Sequence, residues 1–263
     1  MPASPQVCPI CGEPFNQLAE PVVANCESCG KEFVANTACP DGKALCEECR
    51  RKAAVNHILA ACVESDSRDP VALAQELMGD GTIHPNGPEH HTLVGAALLT
   101  AYRNCGGKAD IAAAFPILRE RSLHVPGGAC GWWGTCGAAV SAGQYWAIVS
   151  GSSPKDAPEQ WAQCQRLTSR ILGKLADQGG PRCCKRTGFT AILEAAAFTR
   201  ELTGVKMDLP EKVSCTFSLF NRECLKERCP YFEDDTLTGA AAREVERTAE
   251  QERKVAQSMP VWE

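Results

Sequence analysis

Apolar residues recur at helical spacing through most of the chain after residue 62. Residues 92–102 (TLVGAALLTAY) are almost continuously apolar, as in a buried helix. Residues 159–176 are amphipathic and place their apolar side chains on one stripe. The pattern therefore indicates a mainly α-helical domain. Further helices are predicted at residues 45–61, 111–123, 137–149 and 190–202.

Three features mark where these helices begin, bend and end. Asp69 is placed to cap a helix that starts at Pro70, a favoured first position for proline. Pro116 is predicted to kink or shorten the helix over residues 111–123. Residues 80–91 (DGTIHPNGPEHH) are rich in Gly, Pro and His and predict a long loop.

The cysteines divide the chain unequally. Residues 1–62 hold eight of the 17 cysteines and also the alternating strand patterns, at residues 22–24 and 32–35. We therefore expect a zinc-binding CxxC module over residues 1–62, a helical cysteine-rich domain over 63–232, and an acidic helical or disordered tail over 233–263. The predicted fold class is mainly α, a helical domain preceded by a small zinc-knuckle module of treble-clef or ribbon-like type.

Composition argues against several classes of function. The formal net charge of −5 argues against nucleic acid as a partner. The chain has no run of about 18 apolar residues, so no membrane association is expected. The N-terminus also shows no secretory signal. We therefore expect a cytoplasmic protein with reduced thiols, in which metal binding and catalysis are favoured over disulfides.

The first group of cysteines has the spacing of zinc ligands. Two cysteines in a CxxC turn can bind one ion, and four thiolates satisfy a tetrahedral Zn²⁺. A module this small needs the metal to fold. The predicted ligands are Cys8, Cys11, Cys26, Cys29, Cys39, Cys46 and Cys49.

Seven cysteines do not divide into two groups of four. A second zinc ion would need His57, Cys62 or Asp41 as its last ligand. A RING finger is excluded because Lys43 stands near the position of a histidine ligand and no CxxC follows Cys49. The number of zinc ions stays open at this point.

The second group of cysteines lies beside glycines, helix starts and cations. Cys130 and Cys136 flank a glycine-rich loop, and Cys136 stands where a helix would begin. Cys215, Cys224 and Cys229 follow a spacing that no standard ferredoxin run matches, although Cys-Pro echoes one. We interpret all five as metal ligands. Cys105 and Cys164 fall on apolar helical stretches and are expected to be ordinary packing thiols.

The segment GGPRCCKR places two thiols among three cations. Arg182, Lys185 and Arg186 flank Cys183 and Cys184. Because a nearby positive charge favours thiolate, both cysteines are candidate catalytic residues, and the three cations are candidates for binding an anionic substrate.

Four segments together, HHTLVGAALLTAYRN, PGGACGWWGTCGAAVSAG, GGPRCCKR and FNRECLKERCP, resemble an uncharacterised prokaryotic cysteine-rich family, a domain of unknown function, over roughly residues 84–232. The resemblance implies occurrence in anaerobes, sometimes beside or fused to SAM-dependent methyltransferase or radical-SAM domains. It implies no established activity. The chain itself has neither the CxxxCxxC loop of a radical-SAM enzyme nor a glycine-rich nucleotide loop.

Two hypotheses follow. The first is a metalloprotein with structural zinc and an iron–sulfur cluster, acting in sulfur transfer, desulfuration or redox chemistry on a small anionic substrate, with His91 moving a proton. The alternative is a non-enzymatic zinc-binding adaptor for a SAM-dependent methyltransferase or radical-SAM partner.

Overall fold

The computed structural model describes residues 6–221 and 223–233. The acidic tail predicted over residues 233–263 lies outside the described residues, apart from Glu233. Within the part described, no helix is long and apolar enough to cross a membrane.

The described chain contains a two-stranded sheet followed by eight α-helices, which confirms the predicted mainly α fold class. Two short 3-10 turns, Ser218–Phe220 and Lys226–Arg228, follow the last helix. The elements are β1 (Asn16–Asn25), β2 (Glu32–Ala38), α1 (Glu47–Glu64), α2 (Pro70–Met78), α3 (His90–Asn104), α4 (Ile111–Leu123), α5 (Ala129–Trp132), α6 (Gly137–Ser150), α7 (Pro158–Gln178) and α8 (Cys184–Thr203).

The two strands form an antiparallel hairpin where the sequence predicted strands. Val23 lies opposite Val34, and the register is irregular between Gln17 and Val22. Both strands are longer than the predicted 22–24 and 32–35. The alternation of apolar and polar residues underestimates the strand lengths. Much of the hairpin is exposed on both faces, so its sequence shows little contrast between inward and outward positions.

Helix α1 joins the cysteine-rich hairpin to the helical domain. It begins directly after Cys46, and Glu47 and Glu48 in its first turn suit the positive end of the helix dipole. Farther along, Ile58 and Cys62 are fully buried in the core of the helical domain. One continuous helix therefore connects the N-terminal cysteines to the core of the helical domain.

Helix α3 is the centre of the helical core. It packs against α1, α2, α4, α6 and α8. Gly95 lets α4 and α6 approach closely, because an added Cβ would lie 2.8 Å from Leu118 Cδ1 and 3.0 Å from Ser141 Oγ. The backbone N–H of Gly95 also donates to Ser141 Oγ across 2.9 Å.

The predicted helix boundaries are mostly confirmed. Asp69 accepts hydrogen bonds from the backbone N–H of Val71 and Ala72, at 2.8 and 3.0 Å, and so caps α2. Helix α4 occupies the predicted residues and continues through Pro116 to Leu123, so this proline does not shorten the helix. The alternative, a kink at Pro116, stays a prediction.

Helix α8 begins six residues before the predicted start at residue 190. Cys183 occupies its N-cap, and its sulfur accepts a hydrogen bond from the backbone N–H of Arg186 at 3.5 Å. Lys185 and Arg186 in the first turn are both only 4% exposed. The structure therefore buries two of the three cations that the sequence places beside Cys183 and Cys184.

The chain after α8 folds back over the start of that helix. Cys215 donates its backbone N–H to the carbonyl of Tyr231 at 2.7 Å. The hydroxyl of Tyr231 bonds Thr190 Oγ1 at 2.9 Å, and its ring contacts Phe189 edge-on. We call residues 215–221 and 223–232 the return segment. It forms one wall of the pocket described below.

The packing at Gly95 generates a test of the core. Replacing Gly95 with Ala is expected to destabilise the protein by about 1–3 kcal/mol, because the methyl group meets Leu118 and Ser141. Gly173 of α7 is the matched control, since an added Cβ there meets nothing within 4 Å. Gly173→Ala should stabilise by about 0.5–1 kcal/mol. Urea denaturation measures both, and an equal effect of the two substitutions would contradict this packing.

Candidate metal centres

Four N-terminal cysteines form a closed group. The sulfurs of Cys26, Cys29, Cys46 and Cys49 all lie within 4.8 Å of one another. A tetrahedral zinc ion holds its sulfurs about 3.8 Å apart, as follows from Zn–S bonds of about 2.3 Å. The 3.9 Å between Cys29 Sγ and Cys46 Sγ matches that spacing. This group could therefore hold a zinc ion.

Local backbone structure positions these thiols. Cys26 opens a tight turn in which Gly30, at φ +72°, returns its N–H to the Cys26 carbonyl at 2.8 Å. Cys46 and Cys49 come from the start of α1. Removal from water raises the pKa of Cys26, but hydrogen bonds, first that from the backbone N–H of Cys46, outweigh it and bring the pKa to about 6. The turn thus favours the metal-binding thiolate.

Three other cysteines form a second group. The sulfurs of Cys8, Cys11 and Cys39 also lie within 4.8 Å of one another, with Cys11 exposed. The backbone N–H of Ile10 donates to Cys8 Sγ at 3.4 Å. The two groups interleave along the chain, because Cys39 follows the first pair of the closed group. The spacing of the cysteines in the sequence does not predict that Cys39 joins Cys8 and Cys11.

None of the three residues proposed as a fourth ligand, His57, Cys62 and Asp41, joins this second group. The imidazole of His57 instead pairs with Asp80, at 3.0 Å. Cys62 is fully buried in the helical core, and burial raises the pKa of its thiol to about 12. Asp41 lies outside the group and pairs with Lys43, at 3.0 Å.

Four cysteines of the helical domain line one pocket. Cys183 comes from the cap of α8, and Cys215, Cys224 and Cys229 come from the return segment. Apolar side chains form much of the remaining wall, among them Phe189, Phe217, Leu225, Tyr231 and Phe232.

Hydrogen bonds hold these thiols in place. The side-chain amide of Asn221 donates to Cys183 Sγ at 3.2 Å. Cys224 Sγ accepts from the backbone N–H of Lys226 at 3.4 Å, in a turn where Lys226 adopts φ +52°. The carbonyl of Lys226 then accepts the N–H of Cys229 at 2.7 Å. Hydrogen bonds from the protein thus orient the sulfurs of Cys183 and Cys224.

Two buried cations line the same pocket. Arg186 donates through Nη2 to the carbonyls of Gly179 and Pro181, at 2.7 and 2.8 Å, while its buried Nε has no partner within the described chain. Lys185 donates to the carbonyl of Pro85 and lies 5.5 Å from the Phe217 ring. Neither forms an ion pair with a carboxylate of residues 6–221 or 223–233. Burial lowers the pKa of Lys185, and the buried carboxylate of Glu89 interacts with it electrostatically without forming a direct ion pair.

The spacing of the pocket sulfurs differs from that of the N-terminal groups. Among the described residues, no three of the four pocket sulfurs lie mutually within 4.8 Å, whereas a single zinc ion needs about 3.8 Å. An iron–sulfur cluster places its cysteines farther apart, because several irons and sulfides lie between them. Burial, and then its three neighbouring thiols, raises the pKa of Cys215 to about 11. The four pocket cysteines therefore do not form a closed group like that of Cys26, Cys29, Cys46 and Cys49.

Comparison with protein-family models matches residues 58–232 to a family of unknown function, DUF5714. The chain belongs to this family. No curated protein and no solved structure matches the chain. The expected membership in a family of unknown function is thus confirmed, while its occurrence in anaerobes and its domain fusions stay predictions.

The DUF5714 region contains all four pocket cysteines together with Lys185 and Arg186. It begins within α1, after the last N-terminal zinc-ligand candidate, Cys49. The pocket is therefore a feature of the family region, and the two N-terminal groups lie outside it.

Other predicted site residues of the DUF5714 region do not line the pocket. Cys130 is exposed on the short helix α5, and Cys136 caps α6. Arg182 is exposed and pairs with Glu223, at 3.4 Å. Burial raises the pKa of Cys184 to about 12 and outweighs the neighbouring Lys185, which favours thiolate as expected. The catalytic role of Cys184 stays a prediction.

His91 lies beside the start of α6. Its Nδ1 is 3.2 Å from the carbonyl of Val125, and its ring packs directly against Gly137, where an added Cβ would lie 2.1 Å away. Burial lowers the pKa of His91 to about 4, so the imidazole is neutral at neutral pH. Its proposed proton transfer stays a prediction.

Sequence reasoning missed Asn221, Phe217 and Tyr231 as pocket residues. Asn221 and Phe217 stand between Cys215 and Cys224, and Tyr231 follows Cys229 by two residues. Their only sequence signal is this proximity to the cysteines, because their pocket contacts depend on how the return segment folds over α8.

The buried His91 generates a pH prediction. Unfolded histidine titrates near pH 6.5, so between pH 6.5 and about 4 the unfolded chain binds a proton that folded His91 does not. The stability present above pH 6.5 is therefore lost as the pH falls toward 4, with a slope of about 1.4 kcal/mol per pH unit from this residue. His91→Gln should remove that part of the slope in urea titrations.

Exposed His124 provides the matched control. His124→Gln should retain the pH dependence of the unsubstituted protein, including any shared loss from acid release of metal. An unchanged slope in His91→Gln would show that His91 is not buried as described.

Proposed function

We propose that this protein is an iron–sulfur metalloprotein whose cluster is held by Cys183, Cys215, Cys224 and Cys229. The observation that carries the proposal is the convergence of these four thiols with Lys185 and Arg186 in one pocket. The N-terminal groups serve as zinc sites that fold and fix the hairpin.

Charge supports this assignment. A buried cation costs several kcal/mol unless it is paired. Neither Lys185 nor Arg186 forms a direct ion pair with a carboxylate within the described chain, although the buried Glu89 interacts electrostatically with Lys185. A cluster bound by four thiolates is anionic and supplies the missing negative charge. The unpartnered Nε–H of Arg186 remains available as a donor in this pocket.

The donors around the sulfurs support a redox role. Asn221 donates to Cys183, and the backbone of Lys226 donates to Cys224. Hydrogen bonds to ligand sulfurs and nearby positive charges both stabilise the reduced, more negative state of a cluster and so raise its reduction potential. Four cysteines also leave no open position, which favours electron transfer over chemistry at an exposed iron.

Sulfur transfer or desulfuration of a small anionic substrate is the narrower form of the proposal. It requires one cysteine to leave the cluster, with Lys185 and Arg186 placed to hold the anion. Electrons or sulfur could pass to a partner enzyme in the cytoplasm, where the many thiols remain reduced. We propose no nucleic acid and no membrane as a partner.

Metal analysis after oxygen-free purification tests the proposal. We expect iron and acid-labile sulfide in equal amounts, in addition to zinc. Cys215→Ser and Cys229→Ser should each remove most of the iron and sulfide and leave zinc unchanged, because both cysteines line the pocket. Cys164→Ser, a partly buried position on α7, is the matched control and should retain both.

Zinc alone, with no sulfide and no visible absorption from a cluster, would overturn the proposal and favour the adaptor hypothesis. Iron that survives both pocket substitutions would show that the cluster lies elsewhere, and would equally contradict the assignment.

A further inference from the structure

We infer that the group formed by Cys8, Cys11 and Cys39 binds a metal ion with one exchangeable position, and that this position takes an external thiol. The inference goes beyond the proposed iron–sulfur site, because it concerns a separate centre in the N-terminal module. It rests on the backbone of the turns that carry these cysteines.

The first two turns share one hydrogen-bond pattern. The carbonyl of Cys8 accepts the N–H of Gly12, four residues on, and the carbonyl of Cys26 accepts the N–H of Gly30, both at 2.8 Å. In each turn the second cysteine, Cys11 or Cys29, immediately precedes that glycine. This geometry directs two thiols toward one point.

The turn at Cys39 is one residue shorter. Its carbonyl accepts the N–H of Gly42, three residues on, at 2.8 Å, and its own N–H donates to the carbonyl of Lys43 at 2.7 Å. Gly42 also has a positive φ of 83°, like Gly12 and Gly30. The residue missing from this turn is the one that would be its second cysteine.

No other cysteine or histidine replaces the missing ligand. All 17 cysteines and all five histidines of the sequence lie within the described residues. None of the others joins Cys8, Cys11 and Cys39 within 4.8 Å. The chain therefore presents three thiols where tetrahedral zinc needs four ligands.

Asp41 is the carboxylate nearest in sequence to Cys39, and both of its oxygens bind Lys43. Its Oδ1 accepts the backbone N–H of Lys43 at 3.2 Å, and its Oδ2 pairs with Lys43 Nζ at 3.0 Å. These contacts stabilise the short turn and engage both carboxylate oxygens. Asp41 is thus a structural residue of the turn, and the experiment below tests it directly.

The centre is accessible, and its chemistry favours sulfur. Cys8 and Cys39 are buried, whereas Cys11 is exposed and its neighbour Ile10 is 54% exposed, so an external ligand can approach from this side. Soft thiolate ligands favour a metal that accepts further sulfur. The ammonium of Lys43 interacts electrostatically with Cys11 and offsets added negative charge.

Cadmium-113 NMR of the full chain tests the inference, because the cadmium resonance moves to higher frequency with each added sulfur ligand. Cys215→Ser and Cys229→Ser are introduced together so that the pocket adds no signal. We expect two resonances, one from four sulfurs and one from three. Added 2-mercaptoethanol should move only the three-sulfur resonance, toward the four-sulfur position.

The four-cysteine centre is the internal control and should not respond to the thiol. The substitution Asp41→Ala should leave the thiol-induced shift of the three-sulfur resonance unchanged. A second resonance that ignores the thiol, that already reports four sulfurs, or that responds only in Asp41→Ala would overturn the inference. So would the binding of a single cadmium ion. Because the pocket is removed, none of these results bears on the iron–sulfur proposal.

Discussion

The burial of Lys185 and Arg186 at the start of α8 is the constraint on which the pocket depends. Neither side chain forms a direct ion pair with a carboxylate of the described chain, and backbone carbonyls accept their hydrogen bonds. An anion beside them would therefore be stabilised. The return segment brings three thiols to this place, and the cap of α8 brings the fourth. Cations and thiols are thus complementary parts of one site.

The N-terminal thiols depend on a different constraint, which is the lack of an apolar core in the hairpin. Only a few side chains besides the cysteines are buried there. Metal ions bound by the two cysteine groups would supply the cross-links that this module needs. Helix α1 carries this order onward, because it starts at Cys46 and Arg51 donates to the carbonyls of Ser122 and Val125, at 2.8 and 3.0 Å. Helix α1 therefore connects the closed cysteine group directly to the packing of the helical domain.

Local chemistry explains what the sequence could predict. Some features depend only on residues close together in sequence, and these are predicted correctly. They are the buried helix α3, the cap of α2 at Asp69 and the grouping of cysteines within each CxxC turn. Helix α8 begins six residues before its predicted start, because tertiary packing buries Lys185 and Arg186 and extends the helix into a charged segment that has no local apolar pattern. The pairing of Cys39 with Cys8 and Cys11, and of Cys183 with the return segment, depends on long-range folding that no spacing encodes.

Anomalous diffraction from crystals grown without oxygen, at the iron and zinc absorption edges, tests the central claim most directly. The account predicts an iron signal in the pocket bounded by Cys183, Cys215, Cys224 and Cys229, and a zinc signal between the four N-terminal cysteines of the closed group. Zinc in the pocket, or iron bound outside it at Cys130 and Cys136, would contradict the account.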